Sequence, residues 1–374
     1  MSKIVFYTHD SVANLKEFEY YKQDIDALRA LGHEVVICTS YLEIPFIFDA
    51  MFVWWWTHAL VPVLLCRILR RPCIITGTFN FRFPDIFEGK DYFRRPHWQK
   101  LLIRSALRLC SLNLFVSQLE LEQCSKYFGL DNASHLPHCL HDDYVKGPST
   151  KRRKALLNLA WCGKDNLVRK GIPELLSAVR LLKDRGEDVT VYLAGIEGDG
   201  TEYLLETIKK LGIVNEVHYL GSLSRQDKIK MLRENEIYVQ PSHYEGFGLA
   251  ILESMGCGAC VIVRDVGAVR EVVGDCGVYV PSSSSGELAI AIERVLRDNV
   301  LRERLQKSGY ERAKSLFTFD KKVERLGAFL RSLGVLDPGP PALCASAATG
   351  NVNRAATAIA SSEFCRNGSP SKPE

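Results

Sequence analysis

The sequence predicts an α/β protein built from two domains with parallel sheets. Short runs of β-branched residues alternate with longer stretches of helical periodicity from Lys3 onward, and this alternation favours parallel sheets covered by helices. The length of 374 residues suggests two such domains. A polar, basic segment from Pro148 to Lys154 separates the alternating halves and marks the boundary between them.

The first domain is predicted to span residues 1–147. It opens with a strand at Lys3–Thr8, and the helix that follows ends at Leu31–Gly32, where glycine suits the C-cap. The next strand is His33–Ile37. Farther along, the strand Cys73–Thr76 delivers Thr78 to the edge of the predicted sheet.

Residues 44–69 are the most apolar stretch of the chain and include three consecutive tryptophans, Trp54 to Trp56. The stretch approaches the length of a membrane span, which is one interpretation of it. Asp49, His58 and Pro62 interrupt the run, however, and such residues are unusual in a span. We therefore predict a buried strand, Met51–Trp56, followed by a core helix.

A helix predicted from Arg94 to Cys110 has an unusual basic face. Lys100, Arg104 and Arg108 recur every four residues along it. Its apolar positions are Trp98, Leu101, Leu102 and Leu109. The simplest interpretation is a solvated helix face. The functional alternative is a surface that binds an anionic membrane or a lipid-phosphate acceptor.

The second domain is predicted to span residues 148–316 and to begin with the strand Leu156–Trp161. The loop Cys162-Gly163-Lys164 follows, and then Arg169-Lys170-Gly171 leads into a helix with Pro173 in its first turn. Further strands are predicted at 189–195, 217–221 and 261–263. Residues 337–374 are rich in Pro, Ala, Ser, Gly and Asn, and this composition predicts a disordered tail.

The most informative stretch, EGFGLAILESMGCGACVIV, starts at Glu245. Two carboxylates, Glu245 and Glu253, stand with seven residues between them; the first lies in a turn with Gly246 and Gly248, and the second lies in an apolar helical run. A β-branched segment that ends at Pro241 predicts a buried strand just before the turn.

A strand, a glycine turn and a helix in this order place free backbone N–H groups and a positive helix end at the carboxyl edge of the strand. This arrangement suits a phosphate. Glu253, about a turn and a half into the helix, could face the same crevice and accept hydrogen bonds from ligand hydroxyls. A phosphate site beside such a carboxylate is typical of sugar-nucleotide binding.

These residues resemble a known family. The segment from Glu245 to Glu253 resembles the E-x7-E motif of the retaining glycosyltransferases of family four, which have the two-domain GT-B fold. The segment from Gly256 to Ile262 resembles the family's A-x-G-x-P-V-I sequence, with Cys260 where proline is usual. Gly267 and Glu271 fall where the glycine and the acid of its G-G-x-x-E sequence are expected.

The resemblance implies two Rossmann-like domains that face a central cleft, with residues 317–336 forming a helix that crosses back to the first domain. It also implies transfer of a sugar, with retention of anomeric configuration, from a nucleoside-diphosphate sugar to a glycan, lipid-linked or other hydroxyl acceptor. The nucleotide sugar is a substrate, and neither a cofactor nor a metal is expected.

The resemblance extends to individual site residues. Lys164 and Lys170 match the family's G-R…K-G element, whose cations hold the diphosphate, although lysine at 164 lacks the fork of the usual arginine. By resemblance, Glu253 would hold the ribose, and Glu245 would hold the sugar hydroxyls or stabilise positive charge at the anomeric carbon. The expected catalytic residues are Glu245, Lys170 and Lys164, and the expected donor-binding residues are Gly163, Gly246, Phe247, Gly248, Leu249 and Glu253.

Two features depart from the family pattern. Thr78 stands where a histidine is usual, and the loop His9 to Ala13 lacks the usual glycine pair. These departures favour one alternative, a non-catalytic or degenerate protein that binds sugar nucleotides. The other alternative is different sugar-nucleotide chemistry on the same fold, as in a phosphorylase or an epimerase.

Composition excludes several classes. The net charge of +4 is too small to indicate nucleic-acid binding. The 12 cysteines are scattered, and only Cys257 and Cys260 are spaced like metal ligands, without a second pair. The first apolar run, Ile4 to Phe6, is too short for a secretory signal. We expect a cytoplasmic protein with reduced thiols, or one bound peripherally to the inner face of the membrane.

Overall fold

The computed structural model describes residues 1–83 and 91–336 of the chain. It contains two six-stranded sheets, each made of parallel strands and covered by helices on both faces. This confirms the predicted α/β architecture of two Rossmann-like domains. The predicted disordered tail, residues 337–374, lies outside the described residues.

The first sheet has the strand order β2-β1-β3-β4-β5-β6. Its strands are β1 (Lys3–Thr8), β2 (Glu34–Cys38), β3 (Ala50–Trp54), β4 (Cys73–Gly77), β5 (Leu112–Phe115) and β6 (Ala133–His135). Its helices are α1 (Val12–Glu17), α2 (Glu19–Ala30), α3 (Leu60–Ile68), α4 (His97–Leu109) and α5 (Gln118–Phe128). Strands β3, β4 and β5 are buried along their whole length, as expected for central strands with helices on both faces.

The second sheet has the order β12-β11-β10-β7-β8-β9. Its strands are β7 (Arg153–Leu159), β8 (Val191–Ala194), β9 (Val217–Tyr219), β10 (Asn235–Gln240), β11 (Cys260–Arg264) and β12 (Gly277–Val280). The helices that follow are α6 (Lys164–Arg169), α7 (Ile172–Asp184), α8 (Thr201–Lys210), α9 (Arg225–Glu234), α10 (Leu249–Gly256), α11 (Val269–Val273), α12 (Ser285–Arg297), α13 (Asn299–Leu316) and α14 (Phe319–Ser332).

The apolar stretch 44–69 forms β3, which is buried and ends two residues earlier than predicted, and α3. The buried strand is confirmed, but α3 is only partly a core helix, because its Val61, Leu64 and Ile68 are exposed. Within the described ranges no helix combines the length and the apolarity that crossing a bilayer requires. Helix α4 begins at His97, three residues later than predicted. The reason is Pro96 at its N-cap, because a proline disfavours helical backbone at the residue before it.

Helix α14 packs against α2 and contributes Leu326 and Leu330 to the core of the first domain. The contact includes a buried ion pair, in which the ammonium of Lys322 lies 2.6 Å from the carboxylate of Asp24 and both side chains are 2% exposed. Trp54 Nε1 donates to the second oxygen of Asp24 at 2.9 Å. The last helix is therefore anchored in the domain that begins the chain.

The carboxyl ends of both sheets face one another across the interdomain cleft. Thr78, which follows β4, packs against Gly246, which follows β10. Ser117, which precedes α5, donates to the carboxylate of Glu271 in α11 at 2.9 Å. Loops at the carboxyl edges of parallel strands are where α/β proteins place ligand sites, so the fold brings two such edges to one cleft.

Candidate functional site

The stretch that begins at Glu245 forms the predicted strand, turn and helix. Strand β10 ends at Gln240, residues 241–248 form the turn, and α10 begins at Leu249. Gly248 caps the helix with a φ of 95°, a left-handed conformation that glycine adopts without steric cost. The N-cap is a glycine and provides no side-chain hydrogen bond, so within the described residues the first N–H groups of α10 lack a side-chain cap.

Glu245 is the centre of a dense hydrogen-bonded cluster. Its Oε1 accepts from Gln240 at 2.7 Å and from Ser242 at 2.9 Å. The guanidinium of Arg169 and the ammonium of Lys170 reach the same oxygen at 3.2 and 3.1 Å. All four donors converge on Oε1, and Oε2 receives no hydrogen bond from the part of the chain that the structure describes. One carboxylate oxygen is thus fixed, and the other is available to a ligand.

Glu245 and Lys170 each shift the pKa of the other. Burial raises the pKa of Glu245, but Lys170 and Arg169 outweigh that effect and hold the pKa below its usual value. Burial also lowers the pKa of Lys170, although Glu245 opposes this change. The carboxylate therefore stays ionised at neutral pH, in a site where both side chains are largely excluded from water.

The structure distinguishes the two predicted lysines. Lys170 lies at the C-cap of α6, against Glu245. Lys164 begins α6 and is exposed; its backbone N–H donates to Asp199 at 2.8 Å, and its ammonium forms no ion pair with the described residues. Arg169, which the sequence analysis did not single out, supplies the second cation at Glu245 and also donates to the carbonyl of Tyr244 at 2.9 Å. The sequence signal for this role was that Arg169 directly precedes Lys170 in the chain.

Glu253 lies on α10, 3% exposed, with a partner that the sequence analysis missed. The ammonium of Lys228, on α9, lies 2.8 Å from its Oε1 and also 5.3 Å above the ring of Tyr144. Nothing in the spacing of α9 distinguishes Lys228 from its other basic residues, because the contact depends on how two helices pack. Glu253 is therefore a buried carboxylate that is paired with the ammonium of Lys228.

The other predicted donor-binding residues surround these charges. Gly163 lies against the ring of Trp161, and a Cβ on this glycine would stand 2.8 Å from the nearest ring carbons. The side chain of Phe247 packs edge-on against His138 and Phe317, so the ring is part of the core. Leu249 opens α10 and is partly buried. His138 itself is buried between Trp54 and Phe247, although we would expect a linker histidine at the surface.

A cavity of about 710 Å³ lies between the domains beside Glu245. The second domain lines it with His243, Tyr244, Glu245, Gly246 and residues 266–268, and the first domain lines it with Arg82, Phe83, Asp91, Phe93, Arg94, Ser117, Leu119, Glu120 and Gln123. The described lining residues do not include Lys100, Arg104 and Arg108, which were predicted to form an acceptor or membrane surface. They lie on α4, outside the cavity.

Two carboxylates hold the domains together around this cavity. Glu120 accepts from the backbone N–H groups of Phe79 and Asn80 and from the hydroxyl of Tyr244, each at 2.8 Å. Glu271 accepts from the first backbone N–H groups of α5 at 2.7 and 2.8 Å. The cavity walls are therefore fixed by bonds that cross the domain boundary.

Gly246 permits a close approach of the two domains. A Cβ on this residue would stand 2.0 Å from the methyl carbon, Cγ2, of Thr78. Gly246→Ala is expected to destabilise the chain by about 1–3 kcal/mol, as overpacking does, and to lower the melting temperature by several degrees. Thr78→Ser removes the clashing methyl, so the double variant should recover most of the loss. Equal melting of the single variant and the native chain would contradict this contact.

Comparisons with known proteins agree with this geometry. Residues 165–312 match the model of the family described as glycosyl transferases group 1. The phosphatidyl-myo-inositol mannosyltransferase of Mycobacterium leprae is 32% identical over 152 residues, 40% of either chain. The O-antigen chain mannosyltransferase B of Escherichia coli is 32% identical over 177 residues, 46% of either chain. The chain spans about half the length, or less, of these curated relatives.

Solved structures match over a longer range. A sucrose-phosphate synthase from Thermosynechococcus elongatus superposes with a TM-score of 0.72 at 17% identity, over 89% of this chain and 99% of that one. The Anabaena protein HepE, solved with UDP and glucose, superposes with a TM-score of 0.71 at 18% identity, over 89% of this chain and 100% of that one. Identities this low support the fold alone. The chain therefore has the GT-B fold, and its residues 165–312 are similar to the glycosyl transferases group 1 family.

Proposed function

We propose that this chain is a retaining glycosyltransferase, which moves a sugar from a nucleoside-diphosphate sugar to a hydroxyl acceptor. One observation carries the proposal. A buried carboxylate, Glu245, is fixed through one oxygen by Lys170 and Arg169, while its other oxygen is open at an interdomain cavity. This arrangement suits a ligand that has hydroxyls next to a doubly charged phosphate group.

The diphosphate would lie where α10 begins. The uncapped N–H groups after Gly248 and the positive end of the helix favour an anion there. Lys170 and Arg169 add two cations close to the same turn. As the bond to the anomeric carbon breaks, negative charge grows on the leaving diphosphate, and preorganised donors stabilise it most strongly at that point. Lys164, at the exposed start of α6, would contribute once a donor is bound.

The two glutamates would hold the two sugars of the donor. Oε2 of Glu245 would accept hydrogen bonds from the hydroxyls of the transferred sugar or stabilise positive charge at its anomeric carbon. Glu253 would accept from the ribose hydroxyls, with Lys228 keeping its carboxylate in place. Gly163, Gly246, Phe247 and Leu249 would contribute through their backbone.

Retention of configuration and independence from metal are parts of the proposal that follow from the family resemblance. The cations at Glu245 provide charge that a divalent ion would otherwise supply. We therefore expect turnover to be unchanged in EDTA. A loss of activity in EDTA that Mg²⁺ or Mn²⁺ restores would contradict this part of the proposal.

The acceptor is proposed to be a glycan or a lipid-linked molecule. Relatives named as a phosphatidyl-myo-inositol mannosyltransferase and as an N-acetylgalactosaminyltransferase acting on a diphospho-undecaprenol carry acceptors of this class in their names. We place the reaction in the cytoplasm. The ten cysteines of the described ranges are all free and nine of them are buried, as expected in a reducing compartment.

Nucleotide binding tests the proposal without knowledge of the acceptor. A thermal-shift screen with UDP, GDP, ADP and CMP should identify one diphosphate, which at one hundred times its dissociation constant stabilises the fold by about 2.7 kcal/mol. The sugar nucleotide of that base, offered with a panel of glycan and lipid-linked acceptors, should release free diphosphate far faster with a suitable acceptor than in water alone, where hydrolysis is slow. Binding without turnover across the panel would favour a binding protein, and nucleotide-dependent isomerisation without release would favour an epimerase.

A further inference from the structure

The outer face of the first domain exposes large apolar side chains on two neighbouring helices. On α3 the exposed residues Val61, Leu64 and Ile68 recur at helical spacing, and Ile68 is 79% exposed. On α4, Trp98 is 61% exposed and Leu101 is 65% exposed. Trp98 and Leu101 are among the apolar positions that the sequence pattern of α4 predicts, yet the side chains that reach the core are Ile103, Ala106 and Leu107.

A loop beside α3 extends this apolar surface. In the segment that follows β2, Leu42 and Phe46 are each 97% exposed, and Ile47 is 81% exposed. The hydroxyl of Tyr41 donates to the carbonyl of His58 at 3.1 Å, which holds the loop against the turn that precedes α3. Single exposed apolar residues are common on proteins, but a cluster on adjoining elements marks an interaction surface.

The elements that carry these side chains are joined into one surface. Helices α3 and α4 pack side by side on the same face of the first sheet, with Val63, Cys66, Ile103 and Ala106 in one core cluster. The guanidinium of Arg67 donates to the carbonyl of Leu109 at 3.1 Å and links the ends of the two helices. We call the outer side of residues 41–49, of α3 with residues 69–71, and of α4 the outer patch.

The charge of the outer patch has one dominant sign. Residues 41–49, 60–71 and 97–109 contain six arginines and lysines: Arg67, Arg70, Arg71, Lys100, Arg104 and Arg108. The same segments contain two acids, Glu43 and Asp49. Glu43 caps its own turn, and Asp49 lies 3.7 Å from Arg71. The outer patch therefore combines an excess of positive charge with exposed aromatic and aliphatic side chains, a combination that suits an anionic lipid surface.

We propose that the outer patch docks on the surface of an anionic lipid bilayer. Trp98, Leu101, Phe46 and Leu42 would enter the interfacial layer, where aromatic and aliphatic side chains are stabilised, while the surrounding arginines contact lipid phosphates. Binding of this kind needs two contributions. Insertion of the apolar side chains anchors the protein in the interfacial layer, and the attraction of the basic side chains to lipid phosphates makes binding selective for anionic lipid.

Docking on this face would place the interdomain cavity close to the lipid. Arg94, which lines the cavity, comes four residues before Trp98 in the chain. His58, which holds the loop through Tyr41, follows the carboxyl end of β3 at the cleft edge. A lipid-anchored acceptor could therefore reach the cavity without leaving the bilayer. Vesicle binding itself is measured without donor or acceptor, so its outcome is separate from that of the proposed transfer.

The test is cosedimentation of the full chain with vesicles of neutral phosphatidylcholine and with vesicles that also contain 30% phosphatidylglycerol. Each basic side chain near an anionic surface is worth about fivefold in binding. Arg104→Glu/Arg108→Glu should then lower binding to the anionic vesicles by at least about 25-fold. Phe46→Ser/Trp98→Ser/Leu101→Ser should lower it by at least about tenfold, because it removes apolar contact of three side chains.

A matched control comes from the second domain. Val300, Arg304 and Lys307 are exposed on α13, and Val300→Ser/Arg304→Glu/Lys307→Glu makes the same kind of change away from the outer patch. This control should bind like the native chain, and binding by the native chain should fall as salt rises. Equal binding by patch variants and control, or equal binding to neutral and anionic vesicles, would overturn the proposal. If the native chain dimerises without vesicles and the patch variants do not, the proposal would be overturned, because a second copy of the chain would then be the partner that covers the outer patch.

Discussion

Replacing Lys170 by alanine is expected to lower turnover by about a hundred- to a thousandfold, which is the usual cost of removing one preorganised donor from a developing oxyanion. The attraction between Lys170 and the leaving diphosphate grows as that group departs. The dissociation constant of the nucleotide should therefore change far less than the turnover number. The measurement is steady-state kinetics together with calorimetric titration of the nucleoside diphosphate.

Two comparisons make this prediction specific. Lys209, an exposed lysine of the same domain, provides a control, because Lys209→Ala removes a charge far from Glu245 and should retain native turnover. Circular dichroism must show that Lys170→Ala remains folded, since it leaves Glu245 with one cation, Arg169. Native turnover in the folded Lys170→Ala variant would show that this lysine has no role in the chemical step.

The second large effect is expected at the anchor of the last helix. Lys322→Ala leaves the carboxylate of Asp24 buried without its cation, and breaking a buried pair in this way typically costs about 3–5 kcal/mol of unfolding free energy. Lys322→Met/Asp24→Asn removes both charges and should recover most of the loss. Arg325, exposed on the same helix, is the matched control, and Arg325→Ala should be nearly neutral.

The loss of stability in Lys322→Ala should also depend on pH, and it should be smaller at acidic pH. Burial raises the pKa of Asp24 in the folded chain, and Lys322 opposes that rise. Removing Lys322 therefore raises this pKa further. An acid whose folded pKa exceeds its unfolded value destabilises the fold at high pH, and the penalty is relieved as pH falls through the folded pKa. Urea denaturation at several pH values should show a smaller difference between variant and native chain at acidic pH, and a constant difference would contradict the assignment.

The fold followed from patterns that are local in the sequence. Alternation of β-branched runs with helical segments predicted both sheets, and the turn from Glu245 to Gly248 predicted the strand, loop and helix in which these residues lie. The turn requires glycine at these positions because of its local backbone geometry, so the glycine spacing can be interpreted without knowledge of tertiary packing. The boundary of α4 was less accurate because the effect of Pro96 competes with an otherwise continuous helical pattern.

The pairing of side chains could not be predicted in the same way. Lys228 reaches Glu253 only because α9 packs beside α10, and Thr78 contacts Gly246 only because the two domains close on one another. The exposure of Trp98 and Leu101 was equally hidden, since hydrophobic spacing does not tell which side of a helix the sheet covers. Each of these contacts depends on residues that are distant in sequence, and a single sequence contains no direct signal for them.

The most direct test of sugar transfer with retention is proton NMR of the first sugar released from an α-linked nucleoside-diphosphate hexose. Water can serve as a slow acceptor, so the natural acceptor need not be known. The account predicts that free nucleoside diphosphate accumulates and that the sugar appears first as the α anomer, before mutarotation, with Lys170→Ala releasing about a hundredfold less. First appearance of the β anomer, or no release of diphosphate from a sugar nucleotide that binds, would contradict it.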